Sequence, residues 1–203
     1  NNSAKEIEEL NSIEGINMVM LPYFKKVNEV EEFLNYLDTS KIEPALLIET
    51  IEAVENLDKI LKLFPFKYVH IGLNDLHIQR GTKSMFEPFT DGFISEIVSI
   101  LNDNNQRFGI GGIGKIGSKL IPTPNCLINE HVRLKSRGLI LSRSFKGSFN
   151  LESKELFELE LSKSLEKFRE AEKNSRSLSE VKLLNSYQNM KLQMSKLTNV
   201  LKN

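Results

Sequence analysis

A chain of 203 residues that sets 27 Lys+Arg against 27 Asp+Glu carries no basic excess, which argues against a nucleic-acid partner. Its 40% hydrophobic and 27% charged content suits a globular core. The single cysteine, Cys126, excludes an internal disulfide and a cysteine-rich zinc site, and no apolar run approaches the ~20 residues of a membrane span. The opening stretch NNSAKEIEEL lacks the basic and apolar regions of a signal peptide, so the expected location is the cytoplasm. The lack of an initiator Met points to a missing upstream part.

Along the chain, apolar strand-like runs alternate with helical patterns. The runs are MVMLPYF (18–24), PALLIET (44–50), YVHIGL (68–73), RFGIGGI (107–113) and GLILSRSF (138–145). Between the first and second, Val27, Val30, Phe33, Leu34 and Leu37 recur at helical spacing; between the second and third, Val54, Leu57, Ile60, Leu61 and Phe64 do so. Residues 88–103 and 124–136 repeat the pattern more weakly. The strand runs are continuous rather than alternating, which predicts strands covered on both faces, as in a parallel sheet. Five βα units in succession predict an α/β fold. Beyond Phe145 the composition becomes charge-rich. Residues 152–172 form one predicted helix with a Leu161, Leu165 and Phe168 stripe. After NSRSLSE, where Ser177 or Ser179 could cap, a second helix carries Leu183, Tyr187, Met190, Met194, Leu197 and Leu201 at spacings of 4, 3, 4, 3 and 4. That seam suits another subunit or the preceding part of the same chain.

Two strand runs end in acids. Glu49 closes one and Asp75 follows the next, 26 residues on, the length of one strand, one helix and two loops. In a (β/α)8 barrel the chemistry gathers at the C-terminal strand ends, so both carboxylates would share one rim. Two hard oxygen ligands with open positions suit Mg²⁺ or Mn²⁺. The plainer alternative is that Glu49 caps the next helix and Asp75 begins a turn. The glycines of GIGGIG fit a dinucleotide fingerprint in spacing only, because a proline-containing loop follows where a helix must open. Gly111 and Gly112 read better as a barrel loop whose backbone approaches a ligand, or as a tight turn with none. His70 and His131 read as structural, and Cys126 as a packing residue. His77, two residues past Asp75, could shuttle a proton. Arg143, at the end of the last run, could pair with a substrate carboxylate or with a rim acid.

LPYFKKVNEVEEF, LLIETIEAVENLDKIL, YVHIGLNDL, FGIGGIG and LILSRSF follow one another in the order seen in the HpcH/HpaI aldolase and citrate lyase β-subunit family, and residues 15–147 resemble it. The resemblance implies a (β/α)8 TIM-barrel fold of the pyruvate/phosphoenolpyruvate superfamily, of which residues 1–147 would supply the last five βα units, with 148–203 as a C-terminal helical extension. It implies that Glu49 and Asp75 hold a divalent metal, Mg²⁺ or Mn²⁺, and that the backbone at Gly72, Leu73 and Asn74 borders the substrate carboxylate. The activity implied is metal-dependent carbon–carbon cleavage or formation on a pyruvate-like 2-oxo acid through a metal-stabilised enolate. The substrate-carboxylate arginine and general base of the family would lie in the three missing units, and residues 1–14 would be the helix before the fourth strand. An open five-stranded sheet would leave an apolar edge, which favours a fragment of a longer protein. Family members commonly form homo-oligomers and exchange C-terminal helices, so the seam is expected at a subunit contact. The alternative function is a non-catalytic barrel-derived binding or assembly protein that uses those helices.

Overall fold

The structure is a computed structural model that describes residues 2–146 and 154–200. After helix α1 (Asn2–Leu10) come strand β1 (Met18–Leu21), α2 (Val27–Tyr36), β2 (Glu43–Ile48), α3 (Ile51–Leu63) and β3 (Tyr68–Ile71). They are followed by α4 (Leu73–Gln79), α5 (Glu87–Thr90), α6 (Phe93–Asp103), β4 (Phe108–Ile110) and α7 (Pro124–Arg133). The four strands pair in parallel in chain order, β1-β2-β3-β4. Ala45, Leu46, Ile48, Val69, Ile71 and Ile110 are fully buried, as expected of strands covered on both sides. The helical stripes read from spacing supply the cover: Val30 and Phe33 from α2, Leu57 and Ile60 from α3, Ile94, Ile97 and Leu101 from α6.

The fifth strand run departs from expectation. Residues 137–142 lie alongside β4 and bond to it, through Arg137 N–H to Phe108 O (2.7 Å), Ile110 N–H to Gly138 O (3.1 Å) and Ser142 N–H to Ile113 O (2.8 Å). Only one bridge forms, Ile113 with Leu141 in parallel sense, and Arg143–Lys146 is a 3₁₀ turn. The cause lies in β4. Its extended run stops at Ile110, because Gly112 takes φ +88° and turns the chain out of the sheet plane. The segment beside it follows an interrupted partner and cannot form a regular ladder. Two other boundaries differ. Leu73, read as strand, opens α4. The pattern at 88–103 is two helices, because Gly92 at φ +101° divides α5 from α6.

The C-terminal helices α8 (Lys154–Arg176) and α9 (Glu180–Val200) pack on the parallel layer rather than standing apart from it. Phe168 of α8 and Met190 of α9 belong to the same hydrophobic core as Leu46 and Ile71. The seam lies against α7 of its own chain. Leu183, Met190 and Met194 are buried. Tyr187 lies under the Arg133 guanidinium, 4.7 Å from ring centroid to Cζ. Arg133 is held in turn by a two-pronged pair with buried Glu130, at 2.7 Å on each prong. Thr123 N–H to Gln193 Oε1 (3.1 Å) and Asn129 Nδ2 to Ser186 Oγ (2.9 Å) lock the register of the two helices. A subunit contact through these helices would therefore use their other faces; Leu201 lies outside the described residues. No helix among the described residues is long and apolar enough to cross a membrane.

Two predictions follow from this packing. Met190 is 0% exposed, so Met190→Ala should cost about 2–5 kcal/mol in a urea titration, the usual range for emptying a buried site. His70 and His131 are buried, and in both the Nε2 atom has no partner. Burial lowers each imidazole from 6.5 to about 4, with the His70 charge adding to the effect on His131. The unfolded chain binds these protons first as pH falls. Stability present above pH 6.5 should thus be lost between about 6.5 and 4, at roughly 1 kcal/mol per pH unit for each histidine. Urea midpoints between pH 7 and 5 should show this slope, and His70→Asn should flatten it.

Candidate metal and substrate site

The site is built where β2 and β3 end. Their register sets Ile48 beside Ile71, and the ladder extends one step further, with Gly72 N–H bonded to Ile48 O at 2.8 Å. Glu49 follows Ile48 directly. Asp75 lies in the first turn of α4, three residues beyond Gly72. Glu49 is not the helix cap. Thr50 fills that role, accepting from Ala53 N–H at 3.1 Å while its own hydroxyl donates to Phe24 O at 2.7 Å. Glu49 is left to face the rim, only 5% exposed.

Both acids meet one residue that the sequence reading passed over, Tyr23. Its backbone N–H donates to Glu49 Oε1 at 3.1 Å, and its hydroxyl donates to Asp75 Oδ1 at 2.7 Å. The three groups share one electrostatic environment. Burial pushes the Glu49 carboxyl above its ordinary range; the Tyr23 N–H pulls it back, and the Asp75 charge pushes it up again. The Tyr23 phenol is raised first by the hydrogen bond to Asp75, then by desolvation and by the two negative charges. Among the described residues, neither Glu49 nor Asp75 forms an ion pair with a lysine or arginine. The missed residue had one signal in the sequence: Pro22 interrupts the run read as 18–24, and the strand stops at Leu21, which puts Tyr23 just beyond its end.

The predicted substrate-facing glycines converge on the same end of the sheet. A Cβ on Gly72 would come within 3.1 Å of both Cβ and Oε2 of Glu49, so only glycine lets this backbone approach the carboxylate without displacing it. Leu73 is buried and Asn74 exposed. Gly111 bonds back to Ile71 O at 2.9 Å, and a Cβ on Gly112 would come within 2.7 Å of Met85 Cε. Among the described residues, neither His77 nor Arg143 forms a hydrogen bond or ion pair with Glu49 or Asp75. His77 has a buried Nδ1 without a partner, and Arg143 is exposed in the 3₁₀ turn.

As a donor set, Glu49 and Asp75 fit Mg²⁺ or Mn²⁺. Both are hard oxygen ligands, they lie on one rim, and their negative charge has no protein counter-ion. Among the described residues no cluster of three His, Cys, Asp or Glu side chains is placed to hold a metal.

No known family profile matches the sequence, and no curated protein matches it. Solved structures do. RipC from Yersinia pestis superposes with a TM-score of 0.58 at 12% identity, over 69% of this chain and 63% of that one. An HpcH/HpaI aldolase from Desulfitobacterium hafniense gives 0.53 at 14%, over 80% and 68%. The protein CitE from Mycobacterium tuberculosis, solved in complex with magnesium and acetate, gives 0.55 at 12%, over 92% and 68%. The chain therefore spans about two thirds of the length of these relatives. It has the fold of part of the barrel found in HpcH/HpaI aldolase and citrate-lyase proteins.

An ionised carboxylate held in a buried position beside a second one destabilises the ion-free protein. Glu49→Gln keeps an acceptor for the Tyr23 N–H and removes the charge. It should raise the melting temperature of metal-free protein at neutral pH by a few degrees.

Proposed function

We propose that the parent protein is a metal-dependent carbon–carbon lyase or aldolase acting on a pyruvate-like 2-oxo acid. The observation that carries this reading is the unneutralised pair, Glu49 after β2 and Asp75 in α4 after β3, which Tyr23 bridges through its N–H and its hydroxyl. Support comes from the fold shared with aldolase and citrate-lyase proteins, one of which binds magnesium and acetate. In this reading Glu49 and Asp75 hold Mg²⁺ or Mn²⁺. The bound ion supplies Lewis acidity at the keto oxygen, where charge develops as the carbon–carbon bond breaks or forms. Glu49 is positioned for this by the Tyr23 N–H and by the close backbone of Gly72. In this reading the turn at Gly72, Leu73 and Asn74 borders the carboxylate of the 2-oxo acid, and the backbone of Gly111 and Gly112 lies on its neighbouring side. His77, two residues beyond Asp75 in α4, is the candidate for moving a proton, and Arg143, in the 3₁₀ turn after the fifth segment, the candidate for pairing with a substrate carboxylate.

Binding of a ligand to the folded state alone raises its stability by RT ln(1 + [L]/Kd). Mg²⁺ or Mn²⁺ at a hundred times its Kd should therefore add about 2.7 kcal/mol, read as a rise in melting temperature, and pyruvate should add to it. Asp75→Asn should remove the shift while the metal-free melting temperature stays at or above that of the unaltered chain. A metal-dependent shift of equal size in Asp75→Asn would place the ion elsewhere.

A further inference from the structure

Tyr23 takes φ +53°, a left-handed backbone that residues bearing a Cβ adopt uncommonly and that tends to persist where the surroundings impose it. The surroundings are on either side of it. Phe24 is buried, and its carbonyl accepts the Thr50 hydroxyl. The carbonyl of Lys25 accepts Asn56 Nδ2 at 3.0 Å, and the Lys25 and Lys26 N–H groups both donate to Glu29 Oε2. The backbone of this loop is thus pinned to α2 and α3. The Tyr23 ring is not. The residue is 59% exposed, so no packing holds the side chain over the rim, and the hydrogen bond to Asp75 Oδ1 is its tether.

A fixed backbone donor on one acid and a free-swinging donor on the other divide two tasks. We propose that Tyr23 gates the carboxylate pair: its hydroxyl occupies Asp75 Oδ1 in the ion-free protein and yields that oxygen to an entering divalent cation, while its backbone N–H keeps Glu49 in place throughout. The proposal rests on the reading of Glu49 and Asp75 as cation ligands. The geometry permits the exchange, because an exposed ring can turn away without opening a cavity or leaving a buried polar atom behind. It also makes the hydroxyl a competitor. A hydrogen bond to an ionised carboxylate is among the stronger kinds, and it has to be given up when the oxygen turns to the metal.

The test is calorimetric titration with MgCl₂ of the unaltered chain, Tyr23→Phe, Tyr23→Ala and Glu49→Gln, with tyrosine fluorescence followed in parallel. The sequence has four tyrosines and no tryptophan, and a phenol that donates to a carboxylate is quenched. Tyr23→Phe keeps the backbone donor and removes the competitor, so it should bind Mg²⁺ roughly tenfold more tightly, as should Tyr23→Ala. Fluorescence of the unaltered chain should rise as Mg²⁺ binds and stay flat in Tyr23→Phe. Binding seen only in the Tyr23 variants supports the gate in its strongest form. If the unaltered chain binds, Glu49→Gln does not, and Tyr23→Phe binds equally or more weakly, the gate is overturned and the metal reading stands. If neither the unaltered chain nor the Tyr23 variants bind, both fall together.

Discussion

Everything at the rim depends on how β2 lies against β3. With Ile48 beside Ile71 and Gly72 N–H on Ile48 O, the two strands end level, and the residues after them enter the same space. Shifting that register by one residue would turn the side chains of one strand to its opposite face. If β2 slipped, Ile48 would change faces while Ile71 stayed in place, and Glu49 would turn away from the rim. Burial of the aliphatic strand residues therefore does more than stabilise the sheet. It aligns two carboxylates that repel each other and would not be found together by their own preference.

That repulsion is contained locally. Thr50 caps α3, which frees Glu49 from helix-capping, and ties the cap to the loop that carries Tyr23. Gly72 removes the side chain that would otherwise push Glu49 aside. Tyr23 gives each acid one donor. None of these contacts brings a positive charge. The arrangement holds the acids in place without neutralising them, which distinguishes it from Glu130, whose buried carboxylate is fully matched by Arg133. Of these two buried glutamates, Glu130 is matched by a cation and Glu49 is left with charge to share.

Much of this was legible in the residues. Continuous apolar runs ending in Glu49 and leading to Asp75 carry the rim in their spacing, because consecutive βα units in a parallel sheet place strand ends side by side. Tyr23 was not legible in the same way. An exposed tyrosine after a proline has no periodicity, and its value comes from a backbone angle and two partners 26 and 52 residues away. The fifth strand was overread because the apolar content of 138–145 says nothing of Gly112, whose turn on the neighbouring segment denies it a regular partner. The seam at 183–197 shows the opposite limit. Its spacing declares an apolar face, but what covers that face is decided at α7, through the Arg133 and Asn129 side chains and the Thr123 N–H, groups with no apolar pattern at all.

The docking of α9 on α7 also orders events in time. A ribosome makes α7 well before it makes Met190 and Met194, which complete the cover over it. The intervening roughly 60 residues take on the order of 3–12 s at ordinary elongation rates. Through that interval the parallel strands and their crossover helices can already form, since each unit packs on the one before it, while the α7 face stays open to water. The nascent chain thus carries an apolar surface at α7 for seconds, and a chaperone that met this protein would meet it there, before α9 arrives to cover it.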